Sequence, residues 1–310
     1  MPRRRLVVLD APTNLGLRPP APGAVPGCYK APWALRDRGL LRDLRAEDGG
    51  AIVPGRYLAA WKAGDGVRNA DAIARYSREL ADRVESILAR RRFPLVLGGD
   101  CSVLLGNLLA LRRRGRYGLV FLDAHSDFRH LGNSPAVGAA AGEDLALVTG
   151  RGDERLVNLE GLGPSVDPRD VAVVGVRPED ECLGELGELG MCVIPSDRLA
   201  RIGSTRAAAA ALAAVTNGTR GFWVHLDADV VDAAEMPAVD CPETGGPSFR
   251  ALGNLLRRLV DAPGCVGLEV TIYDPDEDPD GRAGDRLAKC LRESLSCDRD
   301  GPGGGRRTGA

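Results

Sequence analysis

The sequence predicts an α/β protein built around a mainly parallel β-sheet. Short runs of leucine and β-branched residues alternate with longer amphipathic stretches rich in alanine, leucine and arginine, a pattern typical of parallel strands joined by crossover helices. Three of the strand-like runs end in residue types that bind metals. Because parallel strands all end at the same edge of a sheet, these residues are expected to meet there and form one site.

Predicted strands and helices alternate along most of the chain. The strands are expected at residues 5–9, 93–97, 118–122, 171–176, 191–194, 221–226 and 265–270. The helices are expected at residues 69–91, 102–114, 142–149, 178–189, 205–216, 248–261 and 282–295. Residues 11–32 carry many prolines and glycines and are predicted to form an irregular loop over the sheet edge.

The chain shows no internal repeat and no segment that resembles a linker. Residues 1–297 are therefore predicted to form a single domain. Residues 298–310 are rich in glycine and arginine and lack apolar periodicity, which predicts a disordered tail.

Composition excludes several classes of partner. Of the 310 residues, 44% are hydrophobic and 27% are charged, and the formal net charge is −2, so no global field attracts nucleic acid or an anionic membrane. The first apolar run, at residues 6–9, is far too short for a signal peptide or a membrane span, which favours a cytoplasmic location. The eight cysteines include no C-x-x-C pair and are expected to be reduced thiols, mostly in the core.

Asp123, His125 and Asp127 follow the predicted strand at 118–122, and Asp227 and Asp229 follow the strand at 221–226. Alternate residues of an extended segment point the same way, so each set can converge on one centre. The alternative for the first set is a strand end with capping aspartates and a hydrogen-bonded histidine. Neighbouring buried carboxylates are costly unless cations compensate them, and hard oxygen ligands suit Mn²⁺ or Mg²⁺. So many negative charges predict two divalent ions.

The chain resembles the arginase/agmatinase/formiminoglutamase family, the ureohydrolases. The motifs that carry the resemblance are Gly98-Gly99-Asp100-Cys101-Ser102, Asp123-Ala124-His125-Ser126-Asp127 and His225-Leu226-Asp227-Ala228-Asp229, with weaker support from Pro242-Glu243-Thr244-Gly245-Gly246 and Glu269-Val270-Thr271-Ile272-Tyr273-Asp274-Pro275. The resemblance implies an arginase-like three-layer αβα fold and hydrolysis of guanidinium or amidine groups at a binuclear manganese centre.

The resemblance also assigns roles by position. Asp123 and Asp227 would bridge the two metals, Asp127 and Cys101 would complete one, and His125 and Asp229 would complete the other. A hydroxide between the metals would attack the guanidinium or amidine carbon. Asp127 would be the hydrogen-bond partner of that hydroxide, so Asp123 and Asp127 are the predicted catalytic residues.

Cys101 departs from the family pattern, in which a histidine follows Gly-Gly-Asp. A thiolate is a softer ligand that favours Zn²⁺, Fe²⁺ or Co²⁺ over Mn²⁺. Two interpretations stay open at this point. Cys101 is either a true ligand or a cysteine that packs under a weakened or empty metal position.

A second departure lies at Ile272, where the family carries the glutamate that binds the guanidinium group. Isoleucine offers no acceptor to a planar cation, which counts against free arginine or agmatine in the usual pose. Glu269 is expected to point to the other face of its strand. Glu243 and Glu143 lie in loops that could approach the site, or each is a solvated surface charge.

The histidines give a third departure. Arginases have a proton-shuttling His-Gly pair after the second motif, whereas residues 139–144 here contain no histidine, which argues against arginase itself. His130 could face the pocket or solvent. His225 is expected on the face of its strand opposite the third motif, as a core residue or a support for the ligands. In the loop at 128–137, Arg129, Asn133 and Ser134 are candidates to hold a carboxylate or peptide group, with a surface position as the alternative for Arg129.

The sequence therefore predicts a metal-dependent hydrolase of a C–N bond in a small guanidino or amidino substrate. Two alternatives remain: a catalytically inactive homologue that acts as a scaffold or regulatory subunit, and a hydrolase of peptidyl arginine. The resemblance further implies a homo-oligomer, either a trimer or a hexamer.

Overall fold

The computed structural model describes residues 5–135 and 137–296 and arranges eight strands in one sheet. The strands are β1 (Leu6–Ala11), β2 (Glu47–Ala51), β3 (Phe93–Gly98), β4 (Gly118–Leu122), β5 (Val171–Val174), β6 (Cys192–Ile194), β7 (Phe222–Asp227) and β8 (Cys265–Thr271). Their order across the sheet is β2-β1-β3-β8-β7-β4-β5-β6, and every neighbouring pair is parallel.

The helices cover both faces of this sheet. They are α1 (Ala31–Asp37), α2 (Leu40–Asp43), α3 (Ala70–Ala89), α4 (Val103–Arg112), α5 (Asp144–Val148), α6 (Glu154–Val157), α7 (Leu183–Glu188), α8 (Ser196–Val215), α9 (Phe249–Asp261) and α10 (Arg282–Leu295). One apolar core lies between the sheet and α3 to α7, and the other lies between the sheet and α1, α2 and α8 to α10. This three-layer αβα arrangement confirms the predicted fold class.

The central strands are buried from end to end because helices cover them on both sides. All residues of β3, β4 and β7 are buried, as expected for parallel strands that read as continuous apolar runs. The two cores together hold most of the apolar side chains that the strand and helix patterns predicted. The sheet is therefore a rigid platform for the residues at its carboxyl edge.

Four elements carried no recognisable sequence signal, namely β2, α1, α2 and α6. β2 is a polar edge strand, Glu-Asp-Gly-Gly-Ala, which is held by pairing with β1 and by Arg36, whose guanidinium bridges Asp10 and Asp48 at 2.7 and 2.9 Å. α1 begins at Ala31 within the loop predicted at 11–32, after a short 3₁₀ turn at Gly27–Lys30. Helix α8 starts nine residues earlier than predicted because it continues N-terminally across a kink at Gly203.

Some features stay predictions. Residues 1–4, Ala136 and 297–310 lie outside the described part of the chain, so the domain boundary at 297 and the tail at 298–310 are not tested. Within residues 5–135 and 137–296, none of the helices combines the length and apolar character needed to cross a bilayer.

Candidate metal centre

The four central strands bring the predicted ligands to one edge of the sheet. β3, β8, β7 and β4 are consecutive neighbours, and their ends carry Cys101, Thr271, Asp227 and Asp123. The turn after β3 passes so close to the backbone of Thr13 that a Cβ at position 99 would collide with the Thr13 carbonyl, which explains the glycine there. Segments that are more than a hundred residues apart in sequence thus meet at one place.

The donor atoms at this edge form three overlapping groups. They are Cys101–His225–Asp227, Asp123–His125–Asp127 and Asp123–Asp227–Asp229, and in each group one donor atom per residue lies within 4.8 Å of the others. Asp123 and Asp227 each belong to two groups. Two neighbouring cations that share bridging carboxylates require this kind of overlap.

Cys101 faces this cluster. Its Sγ lies 2.9 Å from Asp227 Oδ2 and 3.3 Å from Thr271 Oγ1, and the side chain is fully buried. Burial, reinforced by the charge of Asp227, raises the pKa of the thiol well above its usual range. A thiol that donates to a carboxylate here would need a cation in the site before it could become a thiolate ligand.

His125 contacts two of the carboxylates of the cluster. Its Nδ1 lies 3.0 Å from Asp229 Oδ2 and 3.7 Å from Asp123 Oδ1. Burial opposes its protonation, but the hydrogen bonds to Asp123 and Asp229 outweigh it and raise the pKa of His125 to about 12. The same bond from His125 lowers the pKa of Asp229, against the effect of burial. Nδ1 of His125, which faces both carboxylates, is thus the ring atom positioned to bind a metal.

In the other carboxylates of the cluster, the surroundings favour the protonated form over the charged form. Burial, with neighbouring carboxylates as the second cause, raises the pKa of Asp127 and Asp227 well above the ordinary range and that of Asp123 to about 6. Asp123 Oδ2 and His225 Nε2 are buried and find no hydrogen-bond partner among the described residues. Buried carboxylates and orphaned donor atoms in one cluster fit divalent cations, which would satisfy both.

His225 lies closer to the cluster than the sequence analysis expected. The prediction that it sits on the opposite face was wrong, because positions 225 and 227 differ by two and their side chains share a face. The ring is fully buried, its Nδ1 lies 2.7 Å from Glu269 Oε1, and its Nε2 lies 3.9 Å from Asp123 Oδ2. Glu269 points below the cluster and not into the cavity.

Asp144 is a buried acid near the cluster, and the sequence analysis did not select it. It is fully buried at the start of α5, and Oδ2 has no hydrogen-bond partner in the described structure. Burial, followed by the charges of Asp127 and Asp123, raises the pKa of Asp144 well above its usual range. The sequence signal that could have identified Asp144 is a charged residue at the start of a helix whose other residues are apolar.

A buried arginine, Arg177, fixes the loop that follows β7. Its guanidinium donates to backbone carbonyls at 2.9–3.2 Å, namely those of Gly175, Asp229, Val230, Glu243 and Thr244. Arg177 thereby holds the loop that carries Asp229 through backbone carbonyls, while the Asp229 carboxylate accepts the N–H of Ala124 at 3.1 Å.

A cavity of about 220 Å³ opens over the cluster. Its lining includes His125, Asp127, Arg129, Ala141, Asp240 and Ile272. Ile272 has a φ of 69°, a left-handed conformation that is rare for a β-branched residue, and its N–H donates to Gly99 O at 2.7 Å. Among the described lining residues, the 139–142 segment contributes only alanine and glycine, so no imidazole enters the cavity from that side.

The predicted substrate-binding residues are dispersed. Arg129 lines the cavity and lies 3.2 Å from Glu181. Asn133 and Ser134 do not line it, and the Asn133 amide donates to Phe128 O and Glu185. His130 also contacts Glu185, at 3.0 Å.

The two glutamates considered for the site are not part of the cavity lining either. Glu243 is exposed. Glu143 is buried, and its carboxylate accepts hydrogen bonds from the N–H groups of Gly138 and Ala139. Asp240, which does line the cavity beside Cys241, was missed because its segment carries no strand or helix signal.

Comparisons with known proteins agree with this geometry. The family model described as the arginase family matches residues 8–297. The chain is 33% identical to an arginase of Bacillus subtilis (strain 168) over 301 residues, which cover 94% of this chain and 97% of the relative. It is also similar to the solved structure of the Bacillus caldovelox arginase, with a TM-score of 0.85, 28% identity and coverage of 94% and 98% of the two chains. A proclavaminate amidino hydrolase from Streptomyces clavuligerus shares the fold, with a TM-score of 0.71, 23% identity and coverage of 94% and 91%.

Proposed function

The chain belongs to the arginase family, and on this premise we propose that it hydrolyses a C–N bond of a small guanidino or amidino compound with the aid of two divalent metal ions. The observation that carries the proposal is the convergence of Asp123, His125, Asp127, Asp227 and Asp229, all of which line one cavity except the fully buried Asp123. A catalytically inactive scaffold is not favoured, because a cluster of four carboxylates, three of them buried, is unfavourable unless cations compensate it.

The residues of the site have two proposed roles: most would bind the metal ions, and one would also accept a proton. Asp123 and Asp227 would bridge the two ions, His125 and Asp229 would complete one position, and Cys101 and Asp127 would complete the other. When bound, the ions activate water and polarise the substrate. Asp127 borders the cavity, which places its carboxylate where it could take a proton from the attacking water and return it to the leaving amine.

The thiol of Cys101 affects which metal the site prefers. Oxygen and nitrogen donors suit Mn²⁺, which is the family's metal, whereas the Sγ of Cys101 beside Asp227 favours Zn²⁺, Fe²⁺ or Co²⁺. A homotrimer or homohexamer stays a prediction from the family resemblance, as does a cytoplasmic location.

Asp240 is our candidate for binding the cationic end of the substrate. The carboxylates that line the cavity are Asp127, Asp180, Glu181, Asp227, Asp229 and Asp240. Three of these belong to the candidate metal centre, Asp180 accepts two backbone N–H groups, and Glu181 pairs with Arg129. Asp240 makes no ion pair within the described residues, and its Oδ2 accepts from the Cys241 thiol at 3.7 Å. It can supply the charge that Ile272 does not.

The function is tested by metal analysis and by urea or ammonia release over a panel of guanidino compounds. We expect about two metal equivalents per chain and turnover of at least one compound, with both lost in Asp227→Asn. A protein that binds no metal and is inert with Mn²⁺, Zn²⁺, Co²⁺ or Ni²⁺ would refute the proposal.

The substrate is tested with Asp240→Asn and the exposed control Glu277→Gln, which removes the same charge outside the cavity. We expect KM for the best cationic substrate to rise at least about tenfold in Asp240→Asn only, with metal content unchanged, because a charge-assisted hydrogen bond is lost. An equal KM in the two variants would remove Asp240 from substrate binding.

A further inference from the structure

A row of buried side chains lies directly beneath the metal-binding carboxylates. Phe121, His225 and Glu269 are register partners across β4, β7 and β8. Because side chains alternate along a strand, Asp123 and Asp227, two positions further on, stand above Phe121 and His225 on the same face. The row therefore forms the layer on which the metal centre rests.

His225 is fixed on two sides and keeps one ring nitrogen free. Its ring stacks on Phe121 with a centroid distance of 4.5 Å and an interplanar angle of 13°. Its Nδ1 lies 2.7 Å from Glu269 Oε1, and the other oxygen of Glu269 accepts the amide of Asn107. A carboxylate on Nδ1 selects the tautomer that carries its proton there, so the lone pair is on Nε2.

The free nitrogen of His225, Nε2, has no hydrogen-bond partner in the described part of the core. Nε2 is buried, finds no hydrogen-bond partner in residues 5–135 and 137–296, and lies 3.9 Å from Asp123 Oδ2, which is also unpartnered. With its lone pair on Nε2, His225 cannot donate to that oxygen. Leaving two buried acceptors facing each other is unfavourable, whereas a cation between them satisfies both.

On the premise of the proposed metal-dependent function, we infer that His225 is itself a metal ligand and supplies the imidazole that Cys101 does not. A ring nitrogen of His225, the Cys101 Sγ and an Asp227 oxygen lie within 4.8 Å of one another. The imidazole thus comes from inside β7 and not from the turn after β3. Thiolate, imidazole and carboxylate donors together favour Zn²⁺, Co²⁺ or Fe²⁺ at this position, while the other position keeps harder donors.

The arrangement has the parts that metal-binding histidines use. Glu269 orients the ring, and Asn107, from α4, orients Glu269 in turn. Both are fully buried, so neither serves solvent or substrate. A histidine with a purely structural role would require a donor for Nε2, and the described core offers none.

The direct test uses the wild-type chain, which contains only three histidines. The protein is labelled with ¹⁵N-histidine, loaded with ¹¹³Cd²⁺, and examined for ¹⁵N–¹¹³Cd coupling. Coupling at two imidazoles, His125 and His225, is expected, and His130, which contacts Glu185, is the internal control. Coupling at His125 alone would overturn the inference and leave the proposed function intact. Coupling at none would overturn both.

Variants assign the signals and measure the affinity. We expect His225→Gln to lose the second coupled signal and to weaken one of two Co²⁺-binding steps at least about 100-fold, while His130→Gln changes neither. Glu269→Gln, which keeps the ring but loosens its orientation, should weaken the same step about 10- to 100-fold. If His225→Gln folds, as judged by circular dichroism, and binds both Co²⁺ equivalents with wild-type affinity, His225 is no ligand.

Discussion

Removing the metal ions should make the stability of the protein fall as the pH rises from 4 to 6. The pKa of Asp123 is raised from 3.8 to about 6 by burial and by Asp229. Between these values the native state binds more protons than the unfolded state, so the free energy of unfolding decreases with pH. Asp127 and Asp227, whose pKa values are also raised, act in the same direction.

The magnitude follows from the size of the shift. A change of about two pKa units at roughly 1.4 kcal/mol each makes the metal-free protein about 3 kcal/mol less stable at pH 7 than at pH 4 from Asp123 alone. His125 contributes little in this window, because its pKa is raised to about 12 and its favourable contribution is lost only as the pH rises from about 6.5 towards that value. Asp229, whose pKa is lowered, loses its contribution only as the pH falls below 4.

The assay compares thermal unfolding of chelator-treated and metal-loaded protein at pH 4.5, 5.5 and 7. The metal-free midpoint should fall by about 5–10 °C over this range, and metal should restore it most at pH 7. Asp123→Asn, which mimics the protonated acid, should flatten the metal-free profile, whereas the exposed control Glu277→Gln should not. A metal-free midpoint that stays constant or rises with pH would refute the reasoning.

Three further changes test the site and its support. Cys101→His should strengthen Mn²⁺ binding at least about tenfold and weaken Co²⁺ binding, as measured by calorimetry; unchanged preferences would show that the thiol does not contact a metal. Ile272→Glu should lower KM for arginine at least about tenfold relative to the uncharged control Ile272→Gln, and equal KM values would count against an acceptor role for this position. Arg177→Met should lower the free energy of unfolding by about 3–5 kcal/mol because several buried carbonyls lose their donor, and a urea midpoint equal to that of the exposed control Arg169→Met would contradict this.

Much of the fold could be predicted because most strands are buried on both faces. Residues 118–122 form β4 as predicted, and 282–295 form α10, since continuous apolar runs and strong amphipathic periodicity are local signals. β2 could not be predicted because its two glycines and two acids gain stability only from β1 and Arg36, which are distant in sequence. The first part of α8 was not predicted either, because the kink at Gly203 interrupts the helical pattern.

The candidate site likewise contains some residues that could be predicted from the sequence and others that could not. Asp123, His125 and Asp227 were recognisable because alternate spacing after a strand is a local pattern. Asp240 and Asp144 were not, because their positions depend on how loops pack over the sheet edge. The place of His225 could have been read from parity with Asp227, but its pairing with a buried glutamate depends on the alignment of β7 with β8.

The strand order also constrains how the molecule can be assembled during synthesis. β8 is the last strand to be made, yet it occupies the middle of the sheet, between β3 and β7. Until it is inserted, the early half-sheet β2-β1-β3 and the later half-sheet β7-β4-β5-β6 share no strand, and the turn that carries Cys101 has no fixed relation to the end of β7. A nascent chain that stops short of residue 265 thus has the carboxylates of β4 and β7 side by side but lacks the Cys101–His225–Asp227 group. Binding at the position that includes Cys101 must then wait for the final strand to join the two half-sheets, which couples loading of that position to synthesis of β8.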